Sequence, residues 1–170
     1  MATSRDRLDR VVHQAEGYLE LGLPEQAARA LQRRRALVEE SGRASYLLGE
    51  SLREIECYTD AIAPLERAAE LLPSDMHVFL ALAWCYKRTG RLTSAIDALE
   101  QALRCDPLEA ILHYNLACYW SLALDRRRAI RALGRALDLD GNYLDLVPYE
   151  SDFDAIRDDP EFQMLTSVIV

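Results

Sequence analysis

Apolar residues along this chain recur at spacings of three and four, the period of one face of a helix. In "SAIDALEQALRCDP", Ser94 to Pro107, Ala95, Leu99 and Ala102 share such a face and Pro107 ends it. "DAIAPLERAAELLP", Asp60 to Pro73, carries Ala61, Leu65, Ala68 and Pro73 at the same offsets, 34 positions earlier. Four frames of 34 residues, 8–41, 42–75, 76–109 and 110–143, hold this register without insertion. Position 20 is Ala27, Ala61, Ala95 and Ala129, and position 24 is Leu31, Leu65, Leu99 and Leu133. Position 11 is Tyr18, Leu52, Tyr86 and Trp120, and position 8 is always small: Ala15, Gly49, Ala83 and Ala117.

Each frame predicts two amphipathic helices, A and B, joined by a short turn. Small residues at positions 8 and 20 let the two helices approach closely, and large residues at 11 and 24 fill the space beside them. Gly22 and Gly90 serve the turn, and Pro73 and Pro107 end helix B. One hairpin cannot bury its own apolar faces, whereas stacked hairpins bury a continuous core. The first frame departs most, with Arg34 at position 27, where alanine is usual, and Glu39 in place of the proline. Its helix B is therefore expected to pack loosely or to be partly solvated. The last frame has Gly141 in place of the proline.

On these residues the chain resembles tetratricopeptide repeat (TPR) proteins, built of 34-residue helix–turn–helix units. The resemblance runs from Leu8 to about Tyr143, and the third frame carries it best, through Leu82, Ala83, Tyr86, Gly90, Ala95, Leu99, Ala102 and Pro107. It implies an all-α fold, a right-handed solenoid of antiparallel helix hairpins over residues 8–143. A flexible N-terminus (1–7) would precede the solenoid, and capping helices (144–170) would follow it.

The segment "ESDFDAIRDDPEFQML", Glu150 to Leu165, is not a fifth repeat. It predicts two short helices, the first capped by Ser151 or Asp152, the second by Asp159 followed by Pro160. Phe153, Ile156, Phe162 and Leu165 would be buried and the acids would face water, as the last element of a solenoid requires. The segment also resembles the ending of many bacterial TPR arrays. The apolar "SVIV" at the very end either docks on the solenoid or serves self-association.

Half of the 170 residues are hydrophobic, so the chain can bury a core. No apolar run approaches the ~20 residues of a membrane span, and the first ten residues carry no secretory signal. A cytoplasmic protein is the expectation, with no membrane partner. The net charge is −8. From Leu144 onward seven acids face one base, Arg157, so the tail holds −6 and the rest −2. An acidic tail disfavours binding to phosphate backbones, so no nucleic-acid partner is expected.

The resemblance places any binding site on the A helices, which in TPR proteins line a concave groove. Here they supply Tyr46, Glu50 and Arg53 from the second frame and Leu80, Trp84, Lys87 and Arg88 from the third. The fourth gives Tyr114, Asn115 and Cys118. Aromatic and arginine side chains dominate binding energy at interfaces, and an amide such as Asn115 can donate and accept against a peptide bond. The lysine–asparagine pair that some TPR domains use to clamp chaperone C-termini is missing from every frame. His13, His77 and His113 lack metal-ligand spacing, and the four cysteines form no CxxC, so neither a metal nor another cofactor is expected. Cys85 and Cys118 read as small buried hydrophobes, and the arginine runs 33–35 and 126–128 as solvated, salt-bridged faces. No phosphate loop, nucleophile elbow or paired catalytic carboxylate is present. The sequence thus predicts a non-enzymatic adaptor that binds a protein or peptide partner of apolar and acidic character. The alternatives are a secretion-type chaperone and a self-assembling, homo-oligomeric array.

Overall fold

The computed structural model describes residues 3–167, so the last three residues of the apolar "SVIV" end lie outside the described part. Every regular element among the described residues is helical. The chain divides into two compact units, residues 1–91 and 92–170.

The first unit opens with α1 (Ser4–Glu20). It starts four residues ahead of the first frame because Thr3 and Asp6 form a reciprocal capping box. The second helix of that frame is broken into α2 (Pro24–Gln32) and α3 (Arg35–Val38). The break falls at Arg33 and Arg34, both exposed. Later frames bury Ala68, Ala102 and Ala136 completely at the position Arg34 occupies, and a guanidinium cannot be buried there. Then follow α4 (Gly42–Glu54), α5 (Tyr58–Leu71) and α6 (Met76–Arg88). Here α1 packs on α2 and α4 on α5, and α4 packs also on α1, α2, α3 and α6. Below the break, a cavity of about 820 Å³ opens between Gln32–Glu40 and Ser45–Arg67.

The second unit holds α7 (Leu92–Cys105), α8 (Ala110–Leu122) and α9 (Arg126–Leu139). Two 3-10 segments follow, Gly141–Tyr149 and Ser151–Ile156, and then α10 (Pro160–Thr166). Here α8 packs against α7, α9 and the second 3-10 segment, while α10 packs on α9.

The repeat register is visible in burial. Ala27, Ala61, Ala95 and Ala129 are fully buried, as are Leu31, Leu65, Leu99 and Leu133. A leucine buried this way contributes about 1.5–3 kcal/mol. Gly49 shows why position 8 must be small, since a Cβ there would lie 2.4 Å from Leu65 Cγ. All four A helices end in the same left-handed turn at position 15: Gly22 (φ 68°), Glu56 (60°), Gly90 (76°) and Leu124 (60°). In each, the next amide donates back to the carbonyl of position 11, as in Leu23 N to Tyr18 O (2.8 Å) and Asp125 N to Trp120 O (2.9 Å).

The end of the chain differs from expectation in two respects. The 3-10 segment at Ser151 is capped by Glu150, whose carboxylate accepts from Asp152 N at 3.1 Å, and not by Ser151 or Asp152. Nor do all the acids face water: Asp152 is nearly buried, and the shielded Asp159 carboxylate pairs with Arg126 at 3.0 Å. Asp159 does cap α10, accepting from Glu161 N and Phe162 N. Phe153, Ile156 and Phe162 are buried and Leu165 is half-buried.

Candidate functional site

In the first unit, positions 5, 9 and 12 of the A helices give Tyr46, Glu50 and Arg53 on α4 and Leu80, Trp84 and Lys87 on α6. Glu50 and Arg53, one helical turn apart, form a forked ion pair, with Arg53 Nε donating to Glu50 Oε2 at 2.9 Å. That hydrogen bond holds the Arg53 guanidinium above its ordinary value. Burial, then the charges of Glu50 and Asp75, push the Tyr46 phenol up to about 12. Burial likewise pushes the Cys85 thiol up to about 11, with Arg53 pulling it down and Glu50 raising it. Tyr46, Glu50, Arg53 and Cys85 are therefore electrostatic neighbours, and Cys85 stays a thiol at neutral pH. On α6, Trp84 is 38% exposed, and Lys87 Nζ stands 5.8 Å from its ring centroid. Leu80 is half-buried. Arg88 lies over the Tyr58 ring of α5, Cζ 5.0 Å from the centroid, a partner the sequence reading did not identify. A second ion pair, Arg43 to Glu16, ties α4 to α1 on the same kind of positions (Nε to Oε1, 2.6 Å).

The second unit places its residues differently. Tyr114 and Cys118 were expected in an open groove, yet they are only 4% and 2% exposed. The cover is the chain's own 3-10 segment. Phe153 meets Tyr114 edge to face at 5.8 Å, and Tyr143 lies 4.9 Å from it on another side. Burial first, then Cys118, Glu150, Asp152 and Tyr143, raise the Tyr114 phenol well above the usual tyrosine range, and its hydroxyl has no hydrogen-bond partner among the described residues. Asn115, next to it on the helix, is half-buried and its amide carries no hydrogen bond among the described residues. Cys118 Sγ and one carboxylate oxygen each of Glu150 and Asp152 lie within 4.8 Å of one another. This grouping escaped a search by sequence spacing, because more than thirty residues separate the cysteine from the acids.

The arginine runs also divide. Arg35 pairs with Glu39, Arg126 with Asp159 and Arg128 with Asp125, and Arg128 also stacks on Trp120 at 4.4 Å. Arg33 and Arg34 instead line a cavity of about 450 Å³ between α1 and α2. No helix among the described residues is long and apolar enough to cross a membrane.

Helix hairpins in a 34-residue register, with small residues at the helix crossings and a left-handed turn after every A helix, define a class of repeat protein. The tetratricopeptide repeat model matches residues 13–76, 53–110 and 80–118. The chain belongs to the tetratricopeptide repeat family, whose fold serves as a scaffold for protein–protein interaction. Among solved structures, the crystal structure of MamA superposes with a TM-score of 0.75 at 22% identity, covering 81% of each chain. A MamA fragment from Desulfovibrio magneticus RS-1 gives 0.74 at 22% identity over 79% of this chain and 76% of that one. YrrB, described as a TPR protein with an unusual peptide-binding site, gives 0.74 at 22% identity over 79% of this chain and 70% of that one. At such identities the likeness is one of fold. No curated protein matches by sequence.

Proposed function

We propose that this protein is a non-enzymatic adaptor whose first unit holds a partner's peptide or helix along the A-helix positions of α4 and α6. The observation that carries the reading is Trp84. It keeps 38% of its surface exposed on a helix whose other apolar residues are buried or half-buried, with Lys87 beside the ring. An exposed indole flanked by a cation fits an apolar side chain followed by a carboxylate. Tyr46 supplies a half-buried phenol in the same register, and the Glu50–Arg53 pair supplies both an acceptor and donors. Arg53 is paired with Glu50, whereas Arg88, stacked on Tyr58, makes no ion pair among the described residues. The TPR protein YrrB, described as having a peptide-binding site, supports a peptide ligand for this fold.

The test is affinity capture from lysate with the native chain and with a Trp84→Ala, Arg88→Glu variant of native circular dichroism. A partner retained by the native chain and lost by the variant is the expected result. A partner held equally by both removes function from this face.

A further inference from the structure

The cavity between α1 and α2 is lined mainly by arginine. Arg7 and Arg10 of α1 face Arg29, Arg33 and Arg34 of α2 and the turn after it, and no carboxylate lines the space. None of the five arginines makes an ion pair or a side-chain hydrogen bond among the described residues. Elsewhere in the unit Arg35, Arg43, Arg53 and Arg67 are each paired with a glutamate. Five like charges around about 450 Å³ repel one another, and a protein of net charge −8 has acids enough to pair them. The floor is Val11 and Ala30, with Tyr18 and Gln14 bonded to each other at 3.2 Å. Gln26 Oε1 is buried in the same wall without a donor.

The same register positions line a cavity in both repeats. In the second repeat, positions 4, 7 and 11 are Ser45, Leu48 and Leu52, buried side chains on the wall of the cavity of about 820 Å³, with Ser45 Oγ donating to Val38 O of the preceding hairpin. In the first repeat the same positions are Val11, Gln14 and Tyr18, and they line the arginine-rimmed space.

We propose that this space is a docking site for an acidic peptide segment, separate from the face around Trp84 and independent of that reading. Guanidinium forks pair bidentately with carboxylates, so glutamate or aspartate side chains neutralise the rim. The apolar floor of Val11 and Ala30 takes the methylenes of those side chains, which a phosphate group does not bring, and this favours an acidic peptide. The site is electrostatic in origin, so its occupancy falls steeply with salt.

The experiment is fluorescence anisotropy of a labelled dodecapeptide of alternating glutamate and alanine, titrated with the full chain at low and at physiological salt. Binding by the native chain should weaken at least tenfold in an Arg29→Glu, Arg33→Glu variant. An Arg131→Gln, Arg135→Gln variant, altered on α9 instead, should bind as the native chain does. Arg7→Gln, Arg10→Gln on the opposite helix repeats the test should the α2 variant lose its fold. The proposal fails if the native chain does not bind the peptide, or if the arginine variants bind as tightly as it does. It fails equally if a single-stranded oligonucleotide displaces the label at a lower concentration than unlabelled peptide.

Discussion

Leu124 sits at φ 60° with 76% of its surface exposed, in the turn position that Gly22 and Gly90 occupy in other repeats. A leucine there gains nothing from burial and meets the steric cost of the left-handed region, about 1–2 kcal/mol. Leu124→Gly should therefore stabilise the protein by about 1 kcal/mol, read as a higher midpoint in urea unfolding with an unchanged slope. Glu56, at φ 60° in the second repeat, is the same case. Residue type hid both turns from the sequence, while the glycines announced theirs. The same limit applies to Tyr114 and Cys118. Their helical register marked them as groove residues, but their surroundings depend on Phe153, which approaches from a distant part of the chain.

At the scale of elements, the contact between helices A and B is set by one small residue facing one large one. Gly49 is the tightest instance, with Leu65 Cγ occupying the space a Cβ would need. Leu65 is fully buried and cannot swing away without disturbing its neighbours. Gly49→Ala should cost about 1–3 kcal/mol by overpacking, even though alanine is the better helix former. Chemical denaturation checks it, and a stabilised variant would show that α4 and α5 can slide apart. The broken helix of the first repeat obeys the same rule in reverse. Arg34 replaces the small buried residue, so the helix stops, and the chain resumes helix as α3. That break leaves Arg33 and Arg34 beside α1, where they complete the arginine-lined space. The sequence showed a run of arginines. Only the packing separated Arg35, paired with Glu39, from the two that remain unpaired.

At the scale of the whole molecule, charge and cover are distributed by position along the chain. The acids concentrated near the C-terminal end are largely committed within the second unit. Asp159 bonds Arg126 and caps α10, Glu150 caps the 3-10 segment, and Asp154 pairs with Arg157 at 2.7 Å. Arg157 in turn donates to Val147 O and Glu150 O, fastening the segment from within. The fastened segment carries Phe153 onto α8. Phe153→Ala should cost about 3–5 kcal/mol and expose Cys118. Thiol-reactive labelling of the native protein should then modify Cys57, which is already exposed, and Cys118 as well. In the unmodified sequence Cys118 should stay protected until unfolding. Rapid Cys118 labelling in the native chain would show that the segment does not cover α8 in solution.

By itself the sequence determined the helical class, the 34-residue register and the buried alanines and leucines, because those features rest on local periodicity and side-chain size. It also determined the Asp159–Pro160 helix start, a local capping signal. Tertiary structure alone decided which register positions remain open. Trp84 stays exposed while Tyr114 and Cys118 are covered, and five arginines from α1, α2 and the break after α2 line one cavity. The reason is physical. Periodicity fixes the direction of a side chain on its own helix, but its neighbours arrive from segments far away in the chain, and their arrival depends on packing.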